Sequence, residues 1–262
     1  MHSEKVVDFI VDWLKNYAIK AGVKGYVIGI SGGIDSAVTS TLCAKTGLDL
    51  LCLEMPIHQA KSHVTRAQEH IEWLKTNFNN ISDNRTDLTP VFDEFNTQVD
   101  VHNDQAIVDM ALANTRARLR MTTLYYYAAL NKLLVVGTGN KVEDFGVGFF
   151  TKYGDGGVDV SPIADLLKTE VYKLAEYLNV PQSIIKAVPS DGLFGDTRSD
   201  EDQIGASYPE LEWAMEMDAK GKVSQDFTGR KQTVFNIYKR LNLANRHKVI
   251  PIPICKIPKE IK

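Results

Sequence analysis

Along residues 4–20 the apolar positions Val6, Val7, Phe9, Ile10, Trp13, Leu14 and Tyr17 recur at intervals of three and four. That period predicts an amphipathic helix. The pattern then changes. Residues 26–30, Tyr-Val-Ile-Gly-Ile, form a short continuous apolar run, which predicts a strand covered on both faces. A helix is expected from about Asp35 to Lys45, closed by Thr46-Gly47. A second buried strand is expected from Leu50 to Met55, then a helix over 61–77 and a short third strand from Asp87 to Val91. Further on, a long helix over about 104–130 precedes the apolar run Leu133-Leu134-Val135-Val136, which ends in Gly-Thr-Gly. Lys168 to Leu178 is expected to be helical, stopped by Asn179-Val180-Pro181, and 207–218 and 230–245 look like further helices. The tail Ile250-Pro251-Ile252-Pro253 reads as extended.

Strands that alternate with helices predict βαβ units. The expected fold is α/β, an open, mostly parallel sheet with helices on both faces, Rossmann-like in plan. In such sheets ligands bind beyond the carboxyl ends of the strands, near a switch in strand order. The glycine turns at 31–33 and 137–139 each follow an apolar run and so belong on that edge. Two segments, Asn80 to Thr89 and Val188 to Gly205, are polar and irregular. Segments of that kind in a compact domain are either lids or disordered.

Composition narrows the class. A chain of 262 residues, 44% hydrophobic and 24% charged, fits a single domain over 1–262 with a substantial core. Its net charge of −3 argues against general affinity for nucleic acid. Cys43, Cys52 and Cys255 are isolated and odd in number, which argues against a disulfide framework or zinc site and for a cytoplasmic setting. Met1 to Lys5 carries no leader pattern and no apolar run reaches membrane-spanning length, so no membrane association is expected.

The chemistry concentrates in a few strings. Ser31-Gly32-Gly33-Ile34-Asp35-Ser36 joins an expected strand to an expected helix. Glycines there leave backbone N–H groups exposed, and the helix adds the positive end of its dipole, so the turn suits phosphate. Asp35 would repel phosphate unless a cation sat between them, which suggests Mg²⁺. No Gly-Lys-Ser/Thr follows, so this is not a Walker A loop. Glu143, after Gly137-Thr138-Gly139-Asn140, could supply a second carboxylate to the same ion; taken alone it reads as an acidic residue in a helix's first turn. The string Phe149 to Asp159 interleaves aromatics, Lys152, Asp155 and three glycines, too long for a plain hairpin turn. Lys168 at a helix start is electrostatically disfavoured, which implies an anionic partner. His58, His63 and His70 read as surface or core residues rather than ligands. The helix carrying Tyr125, Tyr126 and Tyr127 reads as buried or as a subunit interface.

The Ser-Gly-Gly-x-Asp-Ser turn resembles that of the N-type ATP pyrophosphatases. With Gly-Thr-Gly-Asn-Lys-Val-Glu, Phe-Phe-Thr-Lys-Tyr-Gly-Asp-Gly-Gly-Val-Asp and Leu-Lys-Thr-Glu-Val, the chain resembles the NAD⁺ synthetase family over nearly its whole length. The resemblance implies ATP-dependent amidation of deamido-NAD⁺ by ammonia through an acyl-adenylate, with release of AMP and pyrophosphate. With no glutaminase domain expected, it implies the shorter, ammonia-dependent type. It implies ATP contacts at Gly29, Ile30, Ser31, Gly32, Gly33, Ile34, Asp35, Ser36, Thr138, Lys168 and Ser190, with Arg66 as a further ATP candidate. It implies Mg²⁺ ligands at Asp35 and Glu143, and deamido-NAD⁺ contacts at Arg118, Lys152, Asp159, His247 and Lys248. Asp155 is then a catalytic candidate beside Lys168, placed to accept a proton from ammonia or to hold ammonium. A homodimer is also implied. Between Glu143 and Lys152 the chain is one residue longer than the commonest spacing of that family. An enzyme of the same fold with a different acceptor, such as a tRNA-modifying thiolase or an amidotransferase synthetase partner, and a sensor that binds ATP without turnover are the alternatives. The first would carry Cys-x-x-Cys pairs and a basic surface; the second would lack the acidic pair or Lys168.

Overall fold

The computed structural model describes residues 1–59, 61–100, 102–188 and 200–262, and only the backbone of 61–63. Its centre is a four-stranded, all-parallel sheet of β1 (Gly25–Gly29), β2 (Asp49–Glu54), β3 (Ile81–Arg85) and β4 (Leu133–Val135), in the order β3-β2-β1-β4. Tyr26, Val27 and Ile28 are wholly buried, so β1 is covered on both faces, as its unbroken apolar run requires. Successive side chains alternate between two cores. Tyr26, Ile28, Leu50 and Cys52 face helices α1 (Ser3–Ala21), α2 (Ile34–Lys45) and α3 (Lys61–Asn77). Val27, Leu51 and Leu53 face α4 (Thr89–Gln98) and α5 (Gln105–Asn131).

Helix α1 buries Val7, Ile10, Leu14 and Ala18, and leaves Phe9, Trp13 and Tyr17 partly exposed. Each buried side chain of Leu or Ile size contributes about 1.5–3 kcal/mol. Gly22, at φ +67°, ends the helix, and Val23 N–H then closes on the Ala18 carbonyl. Tyr26 sits in this core because its hydroxyl donates to the Leu14 carbonyl at 2.5 Å. Gly25 is required by closeness rather than by its dihedral angles, since a Cβ there would lie 2.0 Å from the Asp49 carbonyl oxygen.

The third strand departs from the expectation. Residues 87–91 are not a strand: Asp87 Oδ1 accepts the Thr89 N–H at 2.9 Å, and Pro90 lies in the first turn of α4. The strand is Ile81–Arg85 instead, on the sheet edge. Its side chains are mostly exposed, and backbone pairing to β2 holds it, so it has no apolar signature. Residues 80–89 are therefore neither an irregular loop nor a lid, and they do not line the main pocket. In the second irregular segment, residues 189–199 lie outside the described residues, while Asp200–Ile204 forms α8.

A third core packs α9 (Tyr208–Ala219) and α10 (Gly229–Val249) against a π-helix, Val142–Val147. Helix α10 runs past the expected end at 245, so His247 and Lys248 are helical. Helix α6 (Lys168–Tyr177) packs on α2, and the short α7 (Gln182–Ile185) follows it. Among the described residues, no helix is long and apolar enough to cross a membrane.

Candidate active site

Strand β1 pairs with β2 on one side and β4 on the other, so the order of the chain reverses between β1 and β4. Crevices at such switch points are the natural ligand sites of this architecture. The turns after both strands open there, and with α5, α6 and α10 they line a pocket of about 880 Å³. Gly29 to Ser36, Arg66, Arg118, Thr138, Glu143, Lys152, Asp155, Lys168, His247 and Lys248 all contribute to its wall.

The glycine turn is ordered by its own hydroxyls. Gly33 N–H donates to Ser31 Oγ at 3.2 Å, Ser31 N–H to Ser36 Oγ at 3.3 Å, and Ser36 Oγ to the Gly33 carbonyl at 3.0 Å. Gly32 takes φ +79°, which a side chain would strain, and its carbonyl accepts Arg66 Nε at 3.2 Å. The first turn of α2 thus points at the pocket beside two hydroxyls and a guanidinium.

Charge meets at Lys168. This side chain is 3% exposed, and its Nζ lies 2.5 Å from Asp35 Oδ2 and 2.9 Å from Glu143 Oε1. The anionic partner expected for a lysine at a helix start is this carboxylate pair. The ring of Tyr208 lies 4.8 Å from the ammonium, and its hydroxyl donates to Glu143 Oε1 at 2.6 Å. Burial disfavours the Lys168 charge, but attraction to Asp35 and Glu143 outweighs it and holds the ammonium above the ordinary lysine range. Burial also opposes charge on Glu143, yet Lys168 and the surrounding donors bring it below the usual carboxylate range. Asp35 is pushed up by burial and by Glu143, against the pull of Lys168.

The donor set fits a divalent cation. Two carboxylates from different elements converge on one positive charge, and Mg²⁺ commonly uses one or two carboxylates plus phosphate oxygens and water. Among the described residues there is no cluster of three or more His, Cys, Asp or Glu able to cage a metal alone.

Further along the pocket, Asp155 Oδ1 accepts the Thr151 N–H at 2.8 Å, and burial pushes its carboxyl up. Asp144 is pushed up to about 8, first by burial and then by Glu143, Asp155 and Asp35. A cationic wall stands near it. Lys248 Nζ donates to the Gly148 and Phe150 carbonyls at 2.9 and 2.8 Å, Lys152 Nζ to the His247 carbonyl at 2.7 Å, and Arg118 to the Lys152 carbonyl at 3.3 Å. Asp159 stands apart. Its Oδ2 accepts Val135 N–H at 2.8 Å and its Oδ1 the Tyr125 hydroxyl at 3.0 Å, so it fastens the end of β4 and does not line the pocket. Ser190 lies outside the described residues, as does the side chain of His63. His58 is exposed and paired with Asp93, and His70 is buried. Tyr126 is 61% exposed, whereas Tyr127 is bonded to Asn84 and Thr86.

Asp144, Asn140 and Tyr208 are site residues that sequence reasoning missed. For Asp144 one signal was available in Gly139, where a Cβ would lie 2.0 Å from Asp144 Oδ2.

Comparison with known proteins gives the family of the chain. The NAD synthase family model matches residues 6–251. The NH(3)-dependent NAD(+) synthetase of Methanosarcina mazei is 36% identical, over 97% of this chain and 99% of the relative. That of Archaeoglobus fulgidus is 37% identical over 98% of each. Among solved structures, NMN synthetase from Francisella tularensis superposes with a TM-score of 0.82, at 31% identity over 99% of both chains. The NH3-dependent NAD synthetase of Campylobacter jejuni superposes with a TM-score of 0.78, at 27% identity over 98% of this chain and 100% of that one.

Proposed function

The chain belongs to the NAD synthase family, and from that premise we infer how its pocket performs the reaction. The enzyme is a ligase that amidates deamido-NAD⁺ to NAD⁺ with ammonia, driven by ATP. We propose that the nicotinate carboxylate attacks the α-phosphorus of ATP. A carboxylate oxygen–phosphorus bond forms, the bond to the β-phosphate bridge breaks, and pyrophosphate leaves. Ammonia then adds to the acyl carbon, loses a proton, and expels AMP.

The carboxylate is already ionised at neutral pH, so the first step needs alignment and charge neutralisation rather than a base. The Ser31–Ser36 turn and the start of α2 bind phosphate oxygens, and Lys168 neutralises the charge that develops on them. Asp35 and Glu143 would hold Mg²⁺, which supplies further neutralisation when bound. Arg118, Lys152, His247 and Lys248 bind the anionic dinucleotide. Asp155 holds ammonium or takes the proton that ammonia releases. The convergence of Asp35, Glu143 and Lys168 beside a phosphate-binding turn carries this reading.

One assay tests it. Incubation with ATP, MgCl₂, deamido-NAD⁺ and an ammonium salt should yield NAD⁺, AMP and pyrophosphate in equal amounts. Deamido-NAD⁺ labelled with ¹⁸O in its carboxylate should pass one label to AMP. ADP with phosphate, or unlabelled AMP, overturns the adenylate.

A second reading of the acceptor rests on the likeness to an NMN synthetase over 99% of both chains. The same assay with nicotinate mononucleotide separates the two, because preference for it by kcat/KM would assign the smaller acceptor. We further propose a single domain over 1–262, working in the cytoplasm as a homodimer. Ile107, Met110, Tyr126 and Leu130 leave apolar surface on α5 that supports the dimer, and light scattering on the eluting protein tests it.

A further inference from the structure

We infer that Asn140 is a positioning residue that sets the spacing of the two carboxylates, an inference that rests on Asp35 and Glu143 holding the cation. Its carboxamide is wholly buried. On one side Nδ2 donates to Asp35 Oδ1 at 3.0 Å. On the other, Oδ1 accepts the N–H groups of Val142 and Glu143, both at 3.1 Å. The orientation of the amide is not ambiguous. Backbone N–H groups need an acceptor, so the oxygen faces the π-helix and the nitrogen faces Asp35.

Two consequences follow for the site. The oxygens of Asp35 are divided, with Oδ1 accepting from Asn140 and Oδ2 from Lys168, on the side where the proposed cation would be held. The first turn of the π-helix, which carries Glu143, is tied by the same three-atom group to the first turn of α2. Residues 105 positions apart in sequence are thereby fixed at hydrogen-bond distance. A helix cap alone would be served as well by Ser or Asp. Only a group that accepts on one side and donates on the other meets both demands.

That difference gives the test. Asn140→Ser keeps a capping oxygen and is too short to reach Asp35. Asn140→Asp keeps the cap and turns a carboxylate on Asp35. Partners that orient metal ligands typically change affinity or activity about 10–100-fold when removed. The measurements are Mn²⁺ binding by electron paramagnetic resonance with a non-hydrolysable ATP analogue, thermal melting, and the Mg²⁺ dependence of turnover. Both variants should bind Mn²⁺ at least tenfold more weakly and regain turnover at high Mg²⁺. Their melting temperature should fall, because Asp35 loses a buried donor, while KM for deamido-NAD⁺ should stay close to the wild type. Unchanged Mn²⁺ affinity in the variants, with or without a fall in melting temperature, makes Asn140 a structural cap and overturns the inference while the metal reading stands. Failure of the wild type itself to bind Mn²⁺ overturns both.

Discussion

His70 should make the enzyme measurably acid-labile although it lies outside the pocket. The ring is 0% exposed and stacks on Trp73 with centroids 5.6 Å apart. Its Nε2 is 2.8 Å from Ser40 Oγ, and Ser40 spends its own hydrogen on the Ala37 carbonyl at 3.1 Å. Nε2 must therefore carry the proton, and buried Nδ1 has no partner among the described residues. A second proton on Nδ1 would meet no acceptor among the described residues. Burial accordingly lowers the pKa from 6.5 to about 4. The unfolded chain binds this proton more readily than the folded one, so stability is lost as pH falls from 6.5 towards 4. At about 1.4 kcal/mol per unit, the full effect is about 3 kcal/mol, of which about 2 kcal/mol is present at pH 5. Urea unfolding at pH 7 and pH 5, on wild type and His70→Gln, isolates the contribution. The stability gap between the two proteins should narrow by about 2 kcal/mol at pH 5. An equal gap at both values, or an NMR titration of His70 near 6.5, would refute the reasoning.

Other outcomes follow from the same structure. Lys168→Met strands two part-buried carboxylates, so it should cost up to about 3 kcal/mol of stability. It should also lower turnover about 100-fold or more; unchanged melting and turnover would remove Lys168 from the site. Gly25→Ala forces a Cβ against the Asp49 carbonyl between adjoining strands and should destabilise by about 1–3 kcal/mol or more, read from urea midpoints. Cys43 and Cys52 are buried, with the Cys52 thiol pushed up to about 12 by burial, while Cys255 is exposed. Ellman's reagent should thus find one reactive thiol in the native protein and three after unfolding, and a native count of three would contradict the packing.

What could be read from the sequence follows how each segment is buried. Strand β1 and the first helices carry local patterns, because a strand covered on both faces and a half-covered helix each leave a periodic apolar trace. Edge strand β3 is held by backbone bonds and its Ile-Ser-Asp-Asn-Arg side chains meet solvent, so no local pattern records it. Lys168 stands out through its unfavourable place at a helix start, whereas nothing in the Gly137-Thr138-Gly139-Asn140 string singles out Asn140. Its partner lies in another element, and contacts of that reach leave no periodicity. Asp159 shows the converse, a carboxylate in the right string whose oxygens are taken by β4 and Tyr125.

The π-helix at Val142–Val147 bears on how this chain tolerates a change of length. In an ordinary helix one added residue turns everything beyond it by about 100°. A turn closed over five residues instead of four takes up the extra one locally. Asn242 and Asn245 then meet the carbonyls of Gly146 and Val147 at 2.7 and 2.9 Å, and Gly148, at φ +65°, redirects the backbone. A residue gained or lost between Glu143 and Lys152 would thus be taken up in the girth of this turn, and the Thr-Lys-Tyr-Gly-Asp string after it would keep its orientation.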